Sequence, residues 1–239
     1  MQLLETILYE PGEGFYLLNY HLDRLTASAT FFNKRNEGFE QIPTANFIEE
    51  QLNQQVPLKD GPQRVRLLLG SGGDIEIQHT PLSSVPTWIS LAETSGGNTP
   101  LKIVLDCQPI ESHSRYVTNK TTRRDIYNAA RERAECDFHA GEQGKEDSIF
   151  DVLLYNEQRQ ITETSIANIA VEMRPGYWVT PTLECGLLAG IFRRYLLQSA
   201  QVHEGIVSID DVTSNGPKRI VCFNSVRKLY DVELVNRAT

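Results

Sequence analysis

The sequence predicts an α+β fold in two domains, residues 1–107 and 108–239. Three observations predict it. A chain of 239 residues is one large domain or two small ones, with enough length to bury a core. Strand-like and helix-like stretches occur in both halves. A polar stretch rich in Pro and Gly, residues 81–100, reads as a linker or long loop, and after one more strand the second half starts near residue 107.

The elements follow in order. LLETILYE (3–10) alternates and is β-prone, PGEG (11–14) turns, and FYLL (15–18) returns as a second strand. HLDRLTASATFF (21–32) puts His21, Leu22, Leu25, Ala29 and Phe32 near helical spacing. A second helix is expected over 43–56, with Pro43 near its start. A strand–turn–strand unit covers 64–80, and LKIVLD (101–106) is a further strand. A helix is expected over about 121–135, followed by a polar, glycine-bearing surface insertion at 136–149. Strands are expected at 151–156 and 160–173, joined by a short turn, and then at 177–181. GLLAGIFRRYLLQSAQ (186–201) reads as a helix with its entry loop, and 219–234 as a bent pair of strands. No internal repeat or heptad pattern is present.

Composition narrows the class. The share of hydrophobic residues, 40%, excludes a disordered chain. A net charge of −8 argues against a nucleic-acid binder, although Arg115, Lys120, Arg123 and Arg124 form a local candidate site for a small anion. No apolar run approaches a membrane span, so a cytoplasmic protein is the expectation. Cys107, Cys136, Cys185 and Cys222 form no CxxC pair and no metal spacing with His, so they are expected as thiols. Cys222, inside RIVCFN, reads as a buried strand residue.

Five stretches could carry chemistry. The loop with Gly186 and Gly190 leads into an apolar helix, whose first amides suit a phosphate; a plain loop–helix junction is the ordinary alternative. Asn224, Ser225 and Arg227 end an apolar strand, and could hold an oxyanion or simply build a hairpin corner. Glu163 lies in an apolar strand, five residues before Asn168. It either faces inward, needing a cationic or N–H partner, or sits in water on an edge strand. Arg24 is a solvated arginine or a partner of Asp23 or Glu5. Lys120, in NKTT, is a surface lysine, a phosphate clamp or a nucleophile. A nucleophilic lysine must be partly desolvated or lie near other cations.

Taken together and in order, the segments LLETILYEPGEGFYLLNYHLDRLTASA, NKTTRRDIYNAAR, DVLLYNEQRQITETSIANIAV, WVTPTLECGLLAGIFRRYLL and FNSVR resemble the class IV aminotransferase family, the fold-type-IV pyridoxal-phosphate enzymes. The resemblance implies a small α/β N-terminal domain and a larger β-barrel-like C-terminal domain with helices. It implies pyridoxal 5'-phosphate as cofactor, a small-molecule substrate and a homodimer, with no nucleic-acid or membrane partner. Lys120 falls on the family's Schiff-base lysine, and Glu163 on the carboxylate that pairs with the pyridine nitrogen. Arg24 falls on a phosphate-holding arginine. Gly190, Ile191 and Phe192 fall on the helix-start amides that cradle the same phosphate, with Asn224 and Ser225 on a second phosphate-side loop. Asn168 is counted with the cofactor set, and Thr6 falls on a substrate-facing threonine. The implied reaction converts 4-amino-4-deoxychorismate to 4-aminobenzoate and pyruvate, a step toward folate. An aminotransferase, for which Arg64, Arg66 and Arg227 could grip an acceptor carboxylate, and a non-catalytic relative are the alternatives. No role is assigned to Arg115, Arg123 or Arg124.

Overall fold

A computed structural model describes residues 1–57, 59–85, 91, 99–140, 145, 147–214 and 218–236. The chain divides into two compact units. One comprises Met1–Thr87 with Asn119–Arg123, the other Trp88–Thr118 with Arg124–Thr239. Residues 88–107, given to the first domain by sequence, thus belong to the second unit, and 119–123 belong to the first.

In the first unit, β1 (Leu3–Glu10) is buried along almost its whole length. It pairs antiparallel with β2 (Gly14–Phe15) and with β3 (Gln63–Leu69), and β3 pairs with β4 (Ile75–Pro81). The sheet order is β2-β1-β3-β4. β2 is only two residues long, and FYLL is not the expected strand. Leu17 adopts a left-handed conformation (φ 53), which ends extended backbone, and helix α1 (Leu18–Asn33) starts at the next residue. His21, Leu22, Leu25, Ala29 and Phe32 form its buried face, as their spacing predicts. Helix α2 (Ala45–Gln55) begins after Thr44, whose hydroxyl accepts from the Phe47 amide at 3.3 Å.

The second unit holds β5 (Leu101–Leu105), α3 (Arg115–Thr118), α4 (Asp125–Arg133), β6 (Asp151–Tyr155), β7 (Ile161–Thr164), β8 (Asn168–Arg174) and β9 (Tyr177–Pro181). A single 3-10 turn (Leu183–Cys185), α5 (Ile191–Gln198), β10 (His203–Gly205), α6 (Ile209–Thr213), β11 (Ile220–Asn224) and β12 (Lys228–Leu234) follow. Eight strands form one mixed sheet in the order β10-β9-β8-β11-β12-β5-β6-β7. The chain just after β10 ties its two ends together. The Ile161 amide donates to the Val207 carbonyl, the Ile209 amide donates to the Arg159 carbonyl, and Gln160 bridges Ser208. That closure is the barrel-like feature of the larger unit, and it covers backbone groups that an open edge would leave bare. The apolar core against it includes Ile103, Leu153, Ile169, Val171, Val207 and Ile220.

Several expected elements are shorter. The strand expected over 160–173 is two strands, because the Thr164 amide donates to the Ala167 carbonyl at 2.8 Å and closes a turn over Ser165–Ile166. The helix expected over 121–135 is confined to α4, and α3 precedes it. The helix expected over 186–201 starts at Ile191. Residues 202–214, for which the sequence pattern suggests no element, hold β10 and α6. The loop expected at 81–100 lies mostly outside the described residues, as do 141–144 and 146 of the expected insertion. No helix among the described residues is long and apolar enough to cross a membrane. All four cysteines are free, and Cys222 is buried in β11.

Candidate active site

The first unit holds a charged cluster between β1 and α1. Glu5 is 1% exposed, on a strand whose other buried residues are leucine, isoleucine and tyrosine. Its carboxylate accepts from Arg24 Nε at 2.8 Å and from the same guanidinium's terminal nitrogen at 2.5 Å, a two-pronged contact. His21 Nδ1 lies 2.6 Å from the same carboxylate. Burial pushes the Glu5 carboxyl up. The charge and hydrogen bonds of Arg24, with those of His21, outweigh it and bring the value down to about 2. Burial holds His21 below its usual value despite Glu5, and the charges of Arg24 and Lys120 act in the same direction. Arg24 therefore pairs with Glu5, one of the ordinary partners its sequence position offered, while Asp23 is exposed.

Lys120 is half-buried. Its segment is fixed by backbone. The Leu4 amide donates to the Lys120 carbonyl at 3.0 Å, Leu3 bridges Thr121, and the Thr122 amide donates to the Gln2 carbonyl at 2.9 Å. Thr6 is half-buried on the β1 face opposite to Glu5. It is paired directly with Arg66, which is half-buried, whereas Arg64 is exposed.

The second unit holds a buried carboxylate of its own. Glu163, on β7, is 3% exposed, which rules out the edge strand in water. Donors from α4, from β8 and from the loop before α5 hold it. The Tyr127 hydroxyl donates to Oε1 at 2.7 Å, the Leu188 amide donates to Oε1 at 3.1 Å, and Asn168 Nδ2 donates to Oε2 at 3.1 Å. Asn168 Nδ2 also donates to the Leu188 carbonyl at 3.0 Å, tying β8 to the loop that enters α5. That loop ends at Gly190, the N-cap of α5, which offers no side-chain cap. A Cβ at Gly190 would overlap Asn168 Oδ1, so the close approach requires glycine although its φ is −68. Ile191 and Phe192 are buried behind it, with the Phe192 ring against Tyr195 and Phe223.

Asn224 builds a corner. Its amide nitrogen donates to the Ile166 carbonyl at 3.2 Å, and its oxygen accepts from the Val226 and Arg227 amides. Ser225 is buried beside it. The arginines divide. Arg124 donates to the Ser165 carbonyl at 2.7 Å and lies over the Tyr127 ring, whereas Arg115, Arg123 and Arg227 are exposed. Below β7, Arg131 pairs with Asp151 at 2.9 Å, and Ser165 donates to the same Asp151 oxygen at 2.5 Å.

These residues fit pyridoxal phosphate on two structural grounds. Glu163 is a desolvated acceptor held by neutral donors, which suits a ring N–H⁺. Beside it, an eight-residue helix starts at a glycine with no side-chain cap, which suits a phosphate.

The sequence of residues 2–235 matches the family model described as amino-transferase class IV. The chain belongs to the class IV aminotransferase family. Like other members of this family it is a pyridoxal-phosphate-dependent enzyme. A Schizosaccharomyces pombe protein provisionally named as an aminodeoxychorismate lyase is 34% identical over 231 residues, covering 95% of this chain and 87% of that protein. The aminodeoxychorismate lyase of Saccharomyces cerevisiae is 27% identical over 186 residues, covering 68% of this chain and 49% of that protein. A Mesorhizobium loti crystal structure, provisionally named as an amino-acid aminotransferase, superposes with a TM-score of 0.78 at 28% identity, covering 98% of this chain and 99% of that one. The α+β, fold-type-IV architecture of the family is therefore the architecture of this chain.

Sequence reasoning missed Tyr127 and the Arg131–Asp151–Ser165 network. The signal was present. Tyr127, Ala130, Arg131 and Ala134 follow helical spacing and are all buried, so a tyrosine and an arginine share the inner face of α4 and its end.

Proposed function

We propose that the protein is a lyase that converts 4-amino-4-deoxychorismate to 4-aminobenzoate and pyruvate. The observation that carries the reading is the buried Glu163 carboxylate beside the capless start of α5, in a chain similar over 95% of its length to a protein provisionally named for that reaction. Bound pyridoxal phosphate would supply an electron sink conjugated to the amine-bearing carbon of the substrate.

The chain's own groups divide the remaining work. Glu163 would keep the ring nitrogen protonated. Gly190, Ile191 and Phe192 would offer backbone amides to the phosphate, with Arg24, Asn224 and Ser225 completing its surroundings. Asn168 would hold Glu163 and the loop before α5 in register. Lys120 Nζ would carry the cofactor at rest, give up that bond to the incoming substrate amine, and as the freed amine take the proton from the amine-bearing carbon. The carbon–oxygen bond to the enolpyruvyl group then breaks, and that group takes up a proton to leave as pyruvate, so no keto acid is consumed. Thr6 would face the substrate, with Arg66 beside it for a carboxylate. The same reading carries a homodimer.

A second reading, amino transfer, is favoured by the likeness to the Mesorhizobium loti structure. The test begins with the protein purified in added pyridoxal phosphate, its visible spectrum, and borohydride reduction with peptide mapping. The expected result is a yellow chromophore with the label on Lys120. A label elsewhere, or no chromophore, refutes the cofactor assignment. Pyruvate release from 4-amino-4-deoxychorismate without keto acid supports the lyase, and keto-acid-dependent amino transfer replaces it. Lys120→Ala should lose the chromophore. Thr6→Ala should keep the chromophore and lose turnover.

A further inference from the structure

Glu163 is held on one side by a side chain to which nothing above gives a role. Tyr127 projects from α4, is 7% exposed, and places its hydroxyl 2.7 Å from Glu163 Oε1. The same oxygen takes the Leu188 amide, so two donors fix it from opposite elements. Burial raises the Tyr127 phenol well above its usual value, and the Glu163 charge adds to this. The hydroxyl is thus a permanent donor at any working pH. The Arg124 guanidinium lies 4.9 Å from the centre of the Tyr127 ring and donates to the Ser165 carbonyl, so the ring is held from above and the turn after β7 is held by the same group.

We propose that Tyr127 is a positioning residue for the cofactor's ring nitrogen, acting through Glu163. Its hydroxyl prevents rotation of the carboxylate, so the acceptor is in place before the cofactor arrives, with no ordering left to do on binding. The inference rests on the reading of Glu163 as the partner of the ring nitrogen. It adds a third element, α4, to the two that the family resemblance assigns to that carboxylate and its neighbouring loop.

The test compares two ligands on the full chain freed of cofactor. One is pyridoxal phosphate. The other is its carbocyclic analogue, in which a C–H replaces the ring nitrogen while aldehyde and phosphate remain. Tyr127→Phe keeps the ring under Arg124 and removes only the donor. It should weaken pyridoxal phosphate binding roughly tenfold and leave the analogue unchanged. In a Glu163→Gln background, Tyr127→Phe should cause no further change in the ratio of the two affinities, a thermodynamic cycle that reads the coupling directly. An unchanged ratio in Tyr127→Phe overturns the proposal. Equal losses for both ligands also overturn it, since they mark a general packing defect. Failure of the underlying reading looks different: the unaltered chain would then show no preference between the two ligands, or no borohydride label at Lys120.

Discussion

Replacing Glu5 with Gln removes the centre of the charged cluster under β1, and the structure sets both the size and the pH window of the effect. In the fold, burial raises the Glu5 carboxyl, but Arg24 and His21 outweigh it and bring the value from 4.5 to about 2. The unfolded chain therefore takes the proton first as pH falls. The stabilisation is fully present above about 4.5 and is lost as pH drops toward 2. At about 1.4 kcal/mol per pH unit, this displacement is worth about 3 kcal/mol. Glu5 is 1% exposed, so solvent screening removes little of it. The assay is urea unfolding of the cofactor-free full chain, followed by circular dichroism, at steps from pH 7 to pH 2.5. The parent should exceed Glu5→Gln by about 3 kcal/mol at pH 6–7, and the gap should close steadily below pH 4.5. Two curves that run parallel over the whole range would refute the reasoning. His21, held below its usual 6.5 by burial, adds a loss of the same sign that starts at higher pH, below about 6.5.

Three further substitutions probe the second unit. Gly190→Ala drives a methyl into an Asn168 amide already committed to Glu163 and Leu188; it should cost about 1–3 kcal/mol in urea unfolding and release cofactor on dialysis. Asp151→Ala strands the buried Arg131 cation and should cost about 3–5 kcal/mol; a loss under 1 kcal/mol would show that Arg131 finds water or another partner. Ser208→Ala breaks a capping box in which the Ser208 hydroxyl accepts from the Asp211 amide and the Asp211 carboxylate accepts from the Ser208 amide, and should cost about 1 kcal/mol by thermal melting.

Periodicity located the strands and helices that bury one clean face. α1 shows the five apolar-face residues its spacing names, and β11–β12 form the expected hairpin. It failed where one residue's backbone conformation decides the outcome. Leu17 in a left-handed conformation ends the strand that FYLL suggests, and no apolar pattern encodes that. The turn at Ser165–Ile166 is equally silent, because Thr164 closes it with its own amide and hydroxyl inside a continuous run of β-prone residues. At the candidate site, Lys120, Glu163 and Gly190 were legible as residue types in suggestive settings. Tyr127 was legible only as an inward-facing residue of α4, because its partner lies 36 residues further along the chain and a tyrosine on an amphipathic helix reads as core.

The attachment of the Lys120 segment to β1 has a consequence for solubility. β2 covers β1 only at Tyr9 and Glu10, and the opposite end of that edge is covered by residues 120–122. The stretch LLETIL that would be bared there is apolar and β-prone, the composition that recruits strands from other molecules. Residues 1–87, the first unit without its 119–123 segment, would lack this cover and should self-associate through β1, while the same piece supplied with a peptide spanning 117–124 should remain dispersed. Covering that edge would make the Lys120 segment a guard against strand-to-strand association, independent of any chemistry of its side chain.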